Sequence, residues 1–454
     1  MRRNLAIVLL VCTTLVLALL AGCAPGAAPS PTAAKPATAA ATAAPEAPKA
    51  TAAPTTAPAT KAPATQAAGP APSEILLGAA LPLTGKESRA GGMIKEGYDL
   101  AIEQVNAAGG VMVKEYGKKI PVRLIVYDDK TDATASANQY ERLATVDKVN
   151  FFLGGYSTTL IFAHTVVAEK HGIPYINGGG AATDIYGRGY KWIFSTIASI
   201  KKLAYTTADF IEYWQDQGKL PKPAKIAIAW ENTAHGKDYS AGLNERAKEK
   251  PDRFQVVLDE PFEYPGAKDH RPLLNKVKAA NADIFLSDTH LEDYILMHRQ
   301  YAEMGLSHKL VSYGARGPEK AAMDALGPAA HYIVAANWWR PELPYPQAKA
   351  FVDAFTKKYN KAPDWYQAAA YETARVMFKA IEDAGTLDRQ KVRDTIANMD
   401  WKESILVGQQ VKFQANGQID NPFVVTQNMP DGTAPIVWPL DAATAKAVVP
   451  APSR

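Results

Sequence analysis

Val149-Asn-Phe-Phe-Leu153, followed by Gly154-Gly-Tyr-Ser-Thr158, reads as a strand that runs through a glycine turn into a helix. The first five residues are an apolar, aromatic run of strand length. Two glycines open the turn, and two hydroxyl residues stand just before a helical stretch from Thr159 to Lys170. Outward from this unit the same rhythm repeats. Ile75–Leu81, Pro121–Tyr127 and Pro174–Ile176 read as strands. Gly92–Ala107 reads as a helix with Ile94, Tyr98, Ala101, Ile102 and Val105 on one face, and Ala133–Thr145 as another. Further on, strands are expected at Lys225–Trp230, Phe254–Asp259, Asp283–Ser287 and Lys309–Ser312. Helices are expected between them at Tyr239–Lys250, His270–Ala280 and Glu292–Met304. Repeated strand–helix units predict parallel sheets covered by helices on both faces. The body, about 370 residues from Ser73 to Trp438, exceeds what one core supports, so two α/β lobes are expected.

The amino terminus differs in kind. Arg2 and Arg3 precede an apolar run from Leu5 to Leu20, which ends in Leu20-Ala-Gly-Cys23. The run is shorter than the roughly 20 residues a spanning helix needs. A basic head, a short apolar segment and small residues at the cut make a secretory signal. The cysteine at the cut resembles a bacterial lipobox, which implies a signal peptide over 1–22 and a lipid on Cys23. Residues 24–72 are rich in Ala, Pro and Thr and lack aromatics, so they read as a tether unable to offset the entropy of folding. The expected location is extracytoplasmic, anchored to the membrane. Removing the two leader arginines lowers the formal charge from +4 to +2, which implies no nucleic-acid partner. Cys12 and Cys23 are the only cysteines, so the body has no disulfide, cysteine metal site or thiol nucleophile.

Ligands of open α/β sheets sit beyond the carboxyl ends of strands, where helix N-termini present free N–H groups. Tyr156-Ser157-Thr158 occupies such a place and suits an anionic oxygen; a plain Ser/Thr cap is the alternative. Gly178-Gly-Gly-Ala181 follows the next strand, where glycines let the backbone approach a ligand.

Several landmarks recur in a fixed order. They are Leu81-Pro-Leu-Thr-Gly85, Asn106-Ala-Ala-Gly-Gly110, Tyr127-Asp-Asp129, Gly154–Thr158, Ile173-Pro174 with Asn177–Ala181, Ile185-Tyr-Gly-Arg-Gly189, and Asp269 with Ala282-Asp283. In this arrangement the chain resembles the type I periplasmic binding proteins, in the branch of the leucine/isoleucine/valine-binding proteins of ABC importers. The resemblance implies two Rossmann-like lobes joined by three hinge crossovers, near 195–199, 334–338 and 407–413. Lobe one would take 73–196 and 336–408, and lobe two 197–335 and 409–446. A disordered tail is expected over 447–454.

The resemblance also implies a site. Tyr156, Ser157 and Thr158 would hold a carboxylate, completed by Gly179, Gly180 and Ala181, with Thr183 as a substitute for the family's loop threonine. In the second lobe His235 stands near a usual aromatic, and Thr289-His290 where a tyrosine is common. The acid that balances a ligand ammonium should follow the strand near Ser312; Tyr313-Gly-Ala-Arg316 has none, and Asp288 is the candidate replacement. Trp338, Trp365 and Tyr366 would stack on a flat or apolar body. Arg89 is a candidate carboxylate partner or a plain exposed loop arginine.

The expected role is capture of a small carboxylate-bearing solute (an amino acid, an aromatic acid or an amide-like compound) by hinge closure, and delivery to an ABC permease by a monomeric, cofactor-free protein. A sensory module for a receptor is the alternative. An enzyme is disfavoured. The eight histidines are scattered, with His164 and His171 read as surface-helix and loop residues, and neither His-x-x-x-His nor Gly-x-Ser-x-Gly occurs. Asp128-Asp129 reads as turn capping and salt bridging rather than a metal site.

Overall fold

The computed structural model describes residues 69–264 and 268–452; the expected signal peptide, Cys23 and nearly all of the tether lie outside them. The first half contains β1 (Ile75–Leu81), α1 (Ser88–Ala107), β2 (Val111–Val113), β3 (Lys118–Ile120), β4 (Val122–Asp128), α2 (Ala133–Thr145), β5 (Phe151–Leu153), α3 (Thr158–His171), β6 (Tyr175–Asn177), α4 (Thr183–Tyr186) and β7 (Ile193–Ser195). Then follow α5 (Ile200–Asp216), β8 (Ala224–Glu231), α6 (Ala234–Glu249), β9 (Phe254–Phe262), α7 (Arg271–Ala279), β10 (Ile284–Asp288), α8 (Leu291–Glu303), β11 (Leu310–Tyr313), α9 (Lys320–Leu326) and β12 (Val334–Asn337). The last part holds α10 (Pro346–Tyr359), α11 (Trp365–Ala384), α12 (Arg389–Ala397), β13 (Asp400–Trp401), β14 (Val411–Lys412), β15 (Val424–Gln427) and β16 (Ile436–Trp438).

Two sheets organise the molecule. The first is all parallel, in the order β4-β1-β5-β6-β7. The second runs β16-β15-β12-β11-β10-β8-β9 and is parallel except for the antiparallel edge made by β15 and β16. The two-lobed α/β expectation therefore holds. β1 shows why its sequence is so apolar: it is flanked on both sides, in register with β4 from Ile75–Val122 to Leu81–Asp128, and buried on both faces. α11 packs on α1 over the first sheet, so the chain returns to that lobe after β12. The helices touch closely: a Cβ at Gly97 would lie 2.4 Å from the Gln367 carbonyl oxygen, which requires glycine there.

The chain crosses between sheets after β7, after β12 and before β15. The third passage is later than the sequence suggests. Residues up to Ile419 still lie along the edge of the first sheet, because the Ser195 N–H donates to Gly417 O at 2.9 Å and the Ile419 N–H to Ser195 O at 3.2 Å. Trp338 ties the three passages together. Its indole N–H donates to Ala198 O at 2.8 Å, and its ring packs 5.6 Å from that of Phe423.

Two further expectations are corrected. Residues 447–452 do not hang free: the Val448 N–H donates to Gln427 Oε1 at 2.7 Å and the Ala451 N–H to Lys309 O at 2.8 Å, which docks the segment on the second lobe. His164 is not a surface residue. It is fully buried between the Ser136 hydroxyl at 2.8 Å and the Tyr175 hydroxyl at 2.7 Å, and burial pushes its pKa down to about 3. His171 is the last residue of α3 and pairs with Glu141 at 3.0 Å. Asp128 and Asp129 do cap the turn that follows β4: Asp128 accepts from the Leu83, Thr84 and Lys130 N–H groups, and Asp129 from that of Thr131.

Candidate functional site

Two glycine turns at the carboxyl edge of the first sheet build one wall of a cavity. After β5, a Cβ on Gly155 would lie 2.4 Å from Ala80 O; after β6, one on Gly179 would lie 2.3 Å from Gly155 O. Only glycine lets these two loops nest. The nesting sets Tyr156, Ser157, Thr158 and Thr159 at the start of α3 beside Gly179 and Ala181. Ser157 is the N-cap residue, yet its hydroxyl makes no capping hydrogen bond. The first N–H groups of a helix also lack intrahelical partners, so this corner is rich in free donors.

The opposite wall comes from the ends of β8, β10 and β11. Glu231 closes β8 and is fully buried. It accepts from the Thr233 hydroxyl at 2.8 Å and the His290 N–H at 3.0 Å, and pairs with His290 Nδ1 at 2.6 Å. Burial alone would raise the Glu231 pKa, but the charge and hydrogen bond of His290 hold it down at about 2. Burial would likewise lower His290, but Glu231 pushes it up to about 9, so the pair is ionic at neutral pH. The Tyr264 ring stacks on His290 at 4.4 Å, and its hydroxyl donates to Glu87 at 2.6 Å. His235, in the first turn of α6, pairs with Asp288 at 2.6 Å.

Arg316 follows β11 and is buried. It donates to the Tyr156 hydroxyl at 2.8 Å, to Glu319 at 3.1 Å and to the Tyr366 hydroxyl. A guanidinium thus stands where an acid is expected by resemblance, and it joins the second lobe to two tyrosines of the first. Rings complete the cavity. Trp365 stacks on Tyr366 at 3.9 Å and lies 4.8 Å from Trp338. The space left between these groups is about 20 Å³, so a solute larger than water enters only when these walls move apart.

Of the residues singled out from sequence, Tyr156, Ser157, Thr158, Gly179, Ala181, His235, His290, Trp338 and Trp365 line this one cavity. Others stand behind it. The Gly180 N–H is taken up by Asn177 Oδ1 at 3.0 Å, and Asp288 is engaged by His235. The Thr289 hydroxyl turns to His290 O at 2.6 Å, and Tyr366 supports Arg316. Thr183 and Arg89 bridge the lobes. Thr183 binds Asp238 through its N–H at 2.6 Å and its hydroxyl at 2.9 Å, and Arg89, in α1 rather than a loop, pairs with Glu319 at 2.6 Å.

Sequence reasoning missed Thr159, Ile197, Glu231, Thr233 and the lining role of Arg316. Glu231 carried a signal: an acid closing a buried strand sits where sheet ligands bind. Glu231, His235 and Asp288 place one donor atom each within 4.8 Å of one another, a spacing a metal ion could use. Their donor atoms are already engaged with His290, with Thr233 and with each other.

A family model described as periplasmic binding protein matches residues 74–433. The chain is 25% identical over 387 residues to the Leu/Ile/Val-binding protein homolog 8 of Brucella abortus, covering 82% of this chain and 93% of that protein. In fold it is similar to a leucine-binding protein, LivK, from Thermotoga maritima, with a TM-score of 0.69, 20% identity and coverage of 80% of this chain and 97% of that one. It is also similar to an ABC-transporter solute-binding protein from R. palustris solved with benzoate, with a TM-score of 0.68, 19% identity and coverage of 83% and 98%.

Proposed function

The chain belongs to the periplasmic binding protein family, a family of solute-binding rather than catalytic proteins, and on that premise we propose that it captures a small carboxylate-bearing solute for an ABC importer. The observation that carries this reading is the uncapped start of α3, with the spare Ser157 hydroxyl, facing a cavity between the lobes. Helix N-termini attract anionic oxygens, and the ring-lined remainder of the space suits an apolar or aromatic body. Relatives named for leucine, isoleucine and valine, and a fold neighbour holding benzoate, are in keeping with that choice.

The cycle is binding without chemistry. The solute settles on the first lobe, the hinge at Trp338 closes, and the closed form meets a permease in the membrane. Ligand favours closure only through contacts it makes better in the closed state. Delivery is local, because the signal peptide exports the chain and lipid on Cys23 then tethers the body to the extracytoplasmic side of the membrane. Cys23→Ser should release the protein from the membrane fraction and abolish labelling by a fatty acid.

The binding reading is tested by Ser157→Ala combined with Thr158→Val. Solutes released from the purified full chain are identified by mass spectrometry, then titrated calorimetrically. Loss of two hydroxyl donors to a carboxylate is expected to weaken binding by about 10²- to 10⁴-fold, at ~1.5–3 kcal/mol for each charge-assisted bond. Unchanged affinity for each released solute would remove the assignment.

A further inference from the structure

The charged groups around the cavity are satisfied by one another, and this has a bearing on which carboxylates fit. Glu231 is paired with His290, Asp288 with His235, and Glu319 with both Arg316 and Arg89. Glu87 accepts from the Tyr264 hydroxyl and lies 3.6 Å from His290 Nε2. Among the described residues, each of these acids on and behind the cavity wall has at least one oxygen held by a cation or a donor. A ligand ammonium brought into this space would meet only carboxylates that are already paired, and burying an ammonium without a carboxylate of its own is strongly unfavourable.

Spare donors are another matter. Trp365 lines the cavity and is 2% exposed, and its indole Nε1 is buried with no hydrogen-bond partner. The neighbouring indole of Trp338 differs, being spent on Ala198 O. A buried N–H left without an acceptor is uncommon enough to need a reason, and on a ring that lines the cavity an acceptor on the ligand supplies one. Ser157 and the first N–H groups of α3 are the other unspent donors.

Resting on the carboxylate reading above, we infer that the cavity selects an ammonium-free acid: one end a carboxylate for α3, the body apolar or aromatic, and a second oxygen acceptor for the Trp365 N–H. The 2-oxo acids that correspond to apolar amino acids are the simplest such compounds. Trp365 is the specificity-determining residue, and the Glu231–His290 and Arg316–Glu319 pairs disfavour the amino group by committing their acids to cations of the protein.

Matched probes separate the alternatives. The full chain is titrated with L-leucine against 4-methyl-2-oxopentanoate, and L-phenylalanine against phenylpyruvate and 3-phenylpropanoate. The 2-oxo acid of at least one pair is expected to bind tenfold or more tighter than its amino acid, as a rough measure of one unmatched buried charge. Trp365→Phe, which keeps the ring and removes the N–H, should weaken phenylpyruvate by about tenfold and 3-phenylpropanoate by less than about twofold. An amino acid that binds as tightly as its 2-oxo partner, or a Trp365→Phe effect equal on both acids, overturns the inference. If amino acids are preferred and that binding is lost in Ser157→Ala/Thr158→Val, the inference fails alone. Absence of binding by all five probes at millimolar concentration overturns the inference and the carboxylate reading together.

Discussion

Raising the pH from 6.5 to 9 should destabilise this protein through one side chain. His290 is buried against Glu231, and its pKa stands at about 9 instead of the ordinary 6.5. Below pH 6.5 both the folded and the unfolded chain carry the proton, and the ion pair contributes in full. Above 6.5 the unfolded chain sheds the proton while the folded chain keeps it until about pH 9. Folding must then draw a proton from an increasingly poor source, so stability falls across that window. At about 1.4 kcal/mol for each tenfold change in proton affinity, the displacement is worth on the order of 3 kcal/mol. Glu231, held near 2 instead of 4.5, expresses the same pair from the acid side. Its contribution is present above pH 4.5 and is lost as the pH falls toward 2, and it must not be counted twice. The remaining strong perturbations act outside this window: burial pushes tyrosines such as Tyr156 and Tyr239 above their ordinary 10, and the others act at lower pH. His164 and His308 are pushed down by burial to about 3 and about 4, and Asp129 is pushed up by burial to about 6. For a body of about 380 residues the unfolding entropy is ~0.8 kcal/mol/K, so the expected fall in melting temperature is about 4 °C. Thermal unfolding at constant ionic strength measures it, with His290→Gln as the comparison in which the slope disappears. A melting temperature constant to within about 1 °C between pH 6.5 and 9, or a slope that survives in His290→Gln, would refute the ionic reading of the pair.

Two other perturbations probe the contacts between lobes, and one probes the packing beneath them. Arg316→Met leaves Glu319 with only Arg89 and the Tyr366 hydroxyl and strands the Tyr156 hydroxyl, with an expected cost of about 3–5 kcal/mol in denaturant unfolding. Adding Glu319→Gln should restore much of it, and a single-variant cost under about 1 kcal/mol would count against the buried pairing. Thr183→Val removes one of two bonds to Asp238 across the cleft, so apparent ligand affinity should fall about tenfold with the melting temperature of each lobe little changed. Gly97→Ala drives a Cβ into the Gln367 carbonyl and should cost about 2 kcal/mol or more, since backbone on both helices must shift; a neutral result would mean that α1 and α11 are farther apart than described.

Local pattern made the strand–helix rhythm legible, because each unit hides its own apolar run. β1, α2, α3 and β8 fall within a residue or two of where the apolar spacing puts them. The β2–β3 hairpin and strands β12 to β16 are only two to four residues long, too short for periodicity to register. α11 buries residues around nearly its whole circumference, so it lacks the polar face that marks a helix in sequence. The same reasoning explains His164: α3 has little contrast between faces, and nothing local says that Ser136 and Tyr175 arrive to satisfy both ring nitrogens. The first-lobe residues that line the cavity were readable because consecutive strand ends of one parallel sheet share an edge. The pairs that govern charge were not. Glu231 and His290 are 59 positions apart, and Arg316 and Tyr156 are 160 apart, so their meeting is a property of the assembled lobes.

Those long-range pairs also bear on how closure depends on ligand. Arg316 to Tyr156, Arg89 to Glu319, Tyr264 to Glu87 and Thr183 to Asp238 all join the first lobe to the second, and all are made by the protein's own groups. Each must be broken when the hinge opens, and water then solvates the separated partners, so each contributes only the modest net energy of an exchanged hydrogen bond. Their sum still biases the hinge toward closure before any solute arrives. A ligand then needs to supply only the remainder, through the donors that closure leaves unsatisfied: the start of α3 and the indole of Trp365. Affinity in such an arrangement scales with the fraction of molecules that are binding-competent. Weakening a bridge remote from the solute, as in Thr183→Val, therefore lowers affinity without touching the cavity, whereas Trp365→Phe lowers it for acceptor-bearing ligands alone. Measured side by side on one ligand pair, the first variant shifts both affinities by the same factor and the second shifts only one. Identical behaviour of the two variants would mean that the indole acts in hinge packing and not in recognition.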